Sequence, residues 1–228
     1  MIDATAYARL VEAASAPYRA AGRFAWYFAR GKLRRDPVFR HLLEARLIPE
    51  GARVLDLGCG QGLLRALLAA APAPRIATYR GIELKASDVA RARRALGPGS
   101  GVEAGDIRLA EFGAADAVVI LDVLHYMDRA AQDDVLRRVR LALQGGGVLL
   151  LRVGDAAAGL PFRVSNGADR AIAFVRGHGA TRFHCRSVAQ WRAALEALDF
   201  SVRTEPMSRG TPFANVLLCA HYNSPARR

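Results

Sequence analysis

Lysine and asparagine are nearly missing from this 228-residue chain: Lys32 and Lys85 are the only lysines and there are three asparagines, against 31 arginines and 44 alanines. Arginine and alanine have GC-rich codons, so the skew reads as the codon bias of a GC-rich, bacterial genome. The net charge of +12 is therefore weak support for a nucleic-acid partner. Cysteine is scarce as well. Cys59, Cys185 and Cys219 are odd in number and lack paired metal-ligand spacing, so neither a disulfide framework nor a structural zinc site is implied. No apolar run approaches the roughly 20 residues needed to span a bilayer, and no charged n-region precedes an uninterrupted apolar stretch. The expectation is a soluble, cytoplasmic protein. What is abundant is core material: 52% hydrophobic and 24% charged residues are the mix of one compact domain.

Strand-type and helix-type segments alternate from residue 50 onward. Strand candidates are 53–57, 79–83, 101–105, 116–121, 147–153, 201–206 and 215–221, and helices are expected over 62–71, 86–96, 129–143 and 187–198. Strands separated by helices imply βαβ units and a mainly parallel sheet covered on both faces. Only the turn-rich stretch 208–212 separates the last two strands, so they must pair as an antiparallel hairpin. Residues 1–49 read as an N-terminal helical arm and 50–228 as the main domain. The basic aromatic stretch 23–35 lies in the arm, with Pro17, Gly22 and Gly31 as breaks. Asp36-Pro37 reads as an N-cap and first helical position, followed by Phe39, Leu42, Leu43 and Arg46 at helical spacing. An insertion at 154–186 is too long for a simple connection and is expected to be a lid or binding element.

Between the first strand and the next helix stands Asp56-Leu57-Gly58-Cys59-Gly60-Gln61-Gly62. Alternate glycines let a backbone approach a ligand closely, and the helix start supplies free N–H groups. A dinucleotide fingerprint would need glycine or alanine at position 63, which is Leu63. Asp56 would moreover repel a pyrophosphate and attract a cation. Glu83 ends the second strand 21 residues after Gly62, near the spacing of about 20 for ribose-binding acids, and a carboxylate can accept both ribose hydroxyls.

This series resembles the class I S-adenosylmethionine-dependent methyltransferases, whose first motif reads D/E-x-G-x-G-x-G. The resemblance covers roughly residues 50–221. It implies a three-layer αβα, Rossmann-like sheet of seven strands in the order 3-2-1-4-5-7-6, with the last strand antiparallel. S-adenosylmethionine is the implied cofactor. Gly58, Cys59, Gly60 and Gly62 would lie under its methionine part and Asp56 near its ammonium. Glu83 would take the ribose, Asp106 the adenine amino group, and Leu84 and Ile107 would flank the ring. Leu121 and Asp122 end the fourth strand, which the family opens onto the transferring methyl.

The acceptor is less legible. The D/N-P-P-Y/F motif of amino methyltransferases is absent, since Asp122-Val123-Leu124-His125 stands there, and no cysteine follows a proline as cytosine C5 enzymes require. A small-molecule acceptor fits better, lipophilic, carboxylated or bound to an acidic carrier protein. RNA methylation, or a non-catalytic module binding cofactor or RNA, is the alternative. His125 is the expected general base and Tyr126 its neighbour for orienting the acceptor, against the plainer reading that His125 caps or packs under the next helix. In the arm, Tyr27 and Lys32 are substrate candidates, or else Phe24, Trp26, Tyr27 and Phe28 simply pack. The basic rim could equally meet a carrier or an anionic membrane surface. In the insertion His178, Arg182, His184 and Arg186 suggest an anion-contacting loop, with His184 and Arg186 as substrate candidates and no metal site expected.

Overall fold

Apolar residues in each central strand alternate between two faces, and each face has its own cover. Val54 of β1 (Arg53–Leu57), Ala117 and Val119 of β4 (Ala117–Leu121) and Val148 and Leu150 of β5 (Val148–Gly154) enter one core cluster, while Leu55, Leu57, Val118, Ile120, Leu149 and Leu151 enter the other. The computed structural model describes residues 2–143, 146–156, 183–208 and 214–222. β2 (Thr78–Glu83), β3 (Val102–Ala104), β6 (Phe200–Pro206) and β7 (Asn215–Tyr222) complete a sheet of order β3-β2-β1-β4-β5-β7-β6. Strands β1 to β5 pair in parallel, and β7 is antiparallel to both β5 and β6. The expected order and hairpin are both present, and the strand bounds shift by at most one residue at either end.

The first core cluster lies under α1 (Ala4–Ser15), α2 (Arg23–Arg35), α3 (Pro37–Glu44) and α4 (Leu63–Ala70). The second lies under α6 (Arg129–Ala142) and α7 (Val188–Glu196), and α5 (Ala86–Leu96) packs beside β2 and β3. Pro17 and Gly22 interrupt the arm as expected, with a 3-10 turn over Ala16–Ala21. Gly31 does not. It lies inside α2, whose Ala25, Ala29 and Leu33 are buried, and that packing outweighs the helix penalty of about 1 kcal/mol for one glycine. Arg46 is not helical either: α3 stops at Glu44, and Arg46 has a φ of 50°. Asp36 caps α3 as expected, accepting the Val38 N–H at 3.1 Å. Most of the 154–186 insertion, including His178 and Arg182, lies outside the described residues.

One feature of β5 breaks its apolar pattern. Arg152 is buried on the face toward the arm, where its guanidinium pairs with Asp36 of the α2–α3 junction and with Asp122 just past β4, donating from Nε to Asp122 Oδ1 at 2.9 Å. Burial alone would raise the Asp36 carboxyl, but the charges and hydrogen bonds of Arg152 and Lys32 outweigh it and hold it at about 2. Removing one partner of a buried ion group strands the others at a cost of about 3–5 kcal/mol. Arg152→Met should lose that much stability in urea unfolding. The Asp122 side chain is 30% exposed and can be rehydrated, whereas Asp36 at 9% cannot. Asp36→Leu/Arg152→Met should therefore recover part of the loss, and equal instability of the two variants would show that the triad is not the cause.

Candidate functional site

The sheet order reverses between β1 and β4, which opens a crevice at the carboxyl ends of those strands. Two segments meet there, the glycine loop after β1 and the turn after β4. Gly58 and Cys59 both donate backbone N–H groups to the Ile82 carbonyl, at 2.8 and 3.2 Å, so the loop is fastened to the end of β2. Gly58 has a φ of 76°, and a Cβ there would collide with Val123 Cγ2; Gly60, at φ 56°, has nothing within 4 Å of where its Cβ would stand. The loop thus presses against the β4 turn at Gly58 and is open at Gly60.

Two carboxylates frame it. Glu83 accepts the Gly60 N–H through Oε2 at 2.9 Å and the Lys85 N–H through Oε1 at 2.8 Å. A carboxylate has about four lone-pair sites, so acceptor capacity remains for a ligand's hydroxyls. Asp56 is buried on β1 and accepts the Tyr79 hydroxyl at 2.7 Å, and no ion pair reaches it among the described residues. Burial, with a smaller contribution from Glu83 and against the Tyr79 hydrogen bond, pushes its carboxyl up to about 7. The arm also reaches the loop: Tyr18, fully buried, donates to the Gln61 carbonyl at 2.7 Å. Gln61 is buried too; its Nε2 donates to Asp88 at 3.2 Å, and its Oε1 has no partner among the described residues. An unpaired buried carboxylate, an unpartnered amide oxygen and an open glycine suit a ligand bearing an ammonium group.

Farther along the edge, Asp106 is clasped by Arg108, whose Nε lies 3.0 Å from Oδ1 and Nη2 2.5 Å from Oδ2. Leu84 is 61% exposed, while Ile107 is buried in the second core cluster. Past β4, Leu121 is half-buried, and Asp122 takes a left-handed φ of 60° with its carboxylate on Arg152. His125 and Tyr126 follow in a 3-10 turn, Leu124–Tyr126, their rings 4.2 Å apart and both edge-on to Phe183. Burial lowers the His125 pKa, partly offset by Asp122, so the imidazole is neutral at pH 7, and its Nε2 has no partner among the described residues. Gln132 of α6 fixes this turn by donating to the Leu124, Met127 and His184 carbonyls at 3.0, 3.0 and 2.7 Å.

The structure therefore brings Asp56, Gly58, Cys59, Gly60, Gly62 and Glu83 together with the turn carrying Asp122, His125 and Tyr126. The expected substrate residues are elsewhere engaged or exposed. Lys32 pairs with Asp36 at 2.8 Å, and Tyr27 faces outward. His184 joins the turn through its backbone, donating to the His125 carbonyl at 2.9 Å. Arg186 is buried against α6 and α7, donating to the Arg129 carbonyl at 3.0 Å, pairing with Asp133 at 2.8 Å and lying over Trp191. Sequence reading missed Tyr18, Tyr79 and Arg152. Only Arg152 left a signal, as a charge inside an otherwise apolar strand.

Residues 55–149 match the family described as a methyltransferase domain. The chain is 32% identical over 162 residues to a carboxy-S-adenosyl-L-methionine synthase of Chromohalobacter salexigens, covering 68% of this chain and 58% of that protein. It is 35% identical over 124 residues to a ubiquinone biosynthesis O-methyltransferase of Xanthomonas axonopodis pv. citri, covering 51% and 48%. The chain thus spans about half the length of these curated relatives. Among solved structures, an S-adenosylmethionine-dependent methyltransferase from Mesorhizobium loti superposes with a TM-score of 0.60 at 21% identity, over 81% of this chain and 96% of that one.

The Asp56 carboxyl offers a measurement independent of any ligand. An unfolded aspartate titrates near 3.9, whereas in the fold Asp56 holds its proton to about 7. Between those values the folded protein binds the extra proton, so this residue makes stability fall as pH rises from about 4 through 7. Asp56→Asn keeps an acceptor for Tyr79 and should be the more stable protein at pH 8, with a smaller gap at pH 5. Urea unfolding at both pH values checks this, and parallel pH profiles would remove Asp56 as the source.

Proposed function

The chain carries a methyltransferase domain of the class I, Rossmann-like, S-adenosylmethionine-dependent family, and from that premise we propose that it methylates a small, lipophilic or carboxylated acceptor, free or carrier-bound. The observation that carries the reading is the unpaired Asp56 carboxylate beside a glycine loop tied to Glu83. Asp56 and the Gln61 amide oxygen would hold the cofactor's ammonium, Gly58 to Gly62 its methionine chain, and Glu83 its ribose. Asp106 would reach the adenine amino group through lone pairs that Arg108 leaves open, with Leu84 against the ring. When bound, S-adenosylmethionine supplies a methyl group activated by a positively charged sulfur.

The chain's own work is then to position an acceptor and, where its nucleophile is a hydroxyl or ammonium, to take a proton. His125 Nε2 is the group proposed to do so. Its buried imidazole is neutral at pH 7 and has free acceptor capacity, and Tyr126 beside it can orient the acceptor. The turn itself is tied down by the Gln132 amide, which donates to the Leu124 carbonyl within it and to the Met127 and His184 carbonyls beside it. A second reading follows from the first relative's name: a protein of that kind would build a carboxylated form of the cofactor instead of methylating an acceptor. Mass spectrometry of small molecules carried through purification separates the two, by finding the carboxylated cofactor or only S-adenosylmethionine and its demethylated product.

Calorimetric titration with S-adenosylhomocysteine should show micromolar-range binding that Glu83→Ala weakens by about 1.5–3 kcal/mol, the loss for a charge-assisted contact. Unchanged affinity would take Glu83 out of the site. Once an acceptor is known, His125→Ala should lower turnover at neutral pH by roughly 10²–10⁴ with cofactor affinity nearly unaltered. A variant with wild-type turnover and pH profile would leave transfer to positioning alone.

A further inference from the structure

On part of this arginine-rich surface the guanidinium groups are matched with acids. Arg40 pairs with Glu44, Arg53 with Asp116, Arg80 with Glu103, Arg137 and Arg138 with Asp134, Arg140 with Asp199, and Arg192 with Glu196. The outward side of α2 sets unpaired arginines beside exposed aromatics. The helix contains no acidic residue, and with Ala25, Ala29 and Leu33 turned into the core, Arg23, Phe24, Tyr27, Arg34 and Arg35 are exposed. None of those three arginines has an ion pair among the described residues. Phe24 is 67% exposed and Tyr27 53% exposed, two of the few large apolar side chains on the described surface. The stripe runs about 15 Å along the helix, from position 24 to position 34 at 1.5 Å per residue.

We propose that this face of α2 docks the protein peripherally on an anionic bilayer. Unpaired arginines set beside outward aromatics on one helix side are the composition of an interfacial anchor, in which the cations meet lipid phosphates and the rings enter the headgroup boundary. Such contact needs no spanning segment, and among the described residues no helix is long and apolar enough to cross a membrane. Single-stranded nucleic acid would use the same cations, but it would need ring faces for base stacking. Phe24 already has Phe28 stacked alongside at 6.2 Å and the Arg91 guanidinium over its ring at 5.6 Å, neighbours that compete with a base for the ring faces. Arg91 in turn pairs with Asp88, which receives the Gln61 amide of the glycine loop. Docking would therefore set the crevice beside the lipid surface.

The test is co-sedimentation of the full chain with extruded vesicles of phosphatidylcholine alone or with about 30 mol% phosphatidylglycerol. The protein should partition onto the anionic vesicles and not the neutral ones, and high salt should release it. Each basic residue near such a surface contributes about 1 kcal/mol, so Arg34→Glu/Arg35→Glu should weaken partitioning at least about tenfold. Phe24→Ser/Tyr27→Ser should weaken it too, with circular dichroism checking that both variants fold. Arg137→Glu/Arg192→Glu removes the same charge from other helices and should stay within about twofold. Equal loss in that control, absence of vesicle binding, or retention on a single-stranded RNA oligonucleotide at 0.15 M salt without vesicle binding would each overturn the proposal. No cofactor enters the assay, so its outcome is independent of the methyl-transfer reading.

Discussion

A full positive charge stands inside the fifth strand, and much of the molecule is arranged around neutralising it. Taking a guanidinium out of water costs several kcal/mol, which only close, well-oriented carboxylates return. The two that do so come from distant parts of the chain, Asp36 at the α2–α3 junction and Asp122 after β4. Asp36 thereby fixes where the arm lies on the sheet. Asp122 reaches Arg152 from a left-handed backbone, and the next residue, Val123, is the one that fills the space over Gly58. Arm position, the bend after β4 and the fit of the glycine loop are thus linked through one ion cluster.

A second link between arm and loop, from the Tyr18 hydroxyl to the Gln61 carbonyl, is of a different size. A neutral hydrogen bond contributes about 1 kcal/mol net, against several for a buried charge left alone. Of these two links the ion cluster is the stronger, added to the apolar packing that seats the arm, and Tyr18 is the smaller tie between arm and loop. Because the loop is also bound to β2 through Ile82 and Glu83, it is held from three sides while Gly60 stays open. A preorganised backbone with one uncovered side is what a ligand-binding turn requires.

How much of this the sequence discloses follows from the range of the interactions. Strand alternation, the glycine triplet and Glu83 are local patterns, and the sheet order with its antiparallel final strand accompanies the family those motifs resemble. The Asp36–Arg152 pair joins residues 116 apart, and nothing near either residue names the other. Arg152 was visible only as an anomaly, a charge amid Val148 to Val153 that demanded partners. At Gly31 the buried face of α2 overrides the local propensity, and Arg186, a cation near histidines, resembles an anion site although Asp133 and Trp191 already engage it. The burial of His125 could not be read either, since it depends on Phe183, 58 positions away in a segment whose path the pattern leaves undefined.

Two buried aspartates of this chain separate structure from function. Asp36 and Asp56 are both penalised for losing water, yet one carboxyl is held at about 2 and the other rises to about 7. The difference is the partner: Asp36 faces Arg152 and Lys32, Asp56 only the Tyr79 hydroxyl. A satisfied acid of the first kind belongs to the architecture. An acid of the second kind costs the folded protein stability at neutral pH, and no contact within the described fold offsets that cost. It is accounted for if a cation arrives from outside to favour the ionised form. In the proposed reading the glycine loop beside Asp56 and the open lone pairs of Glu83 would supply the rest of such a ligand's recognition at the same strand ends, where the buried acid lacks a cation of its own.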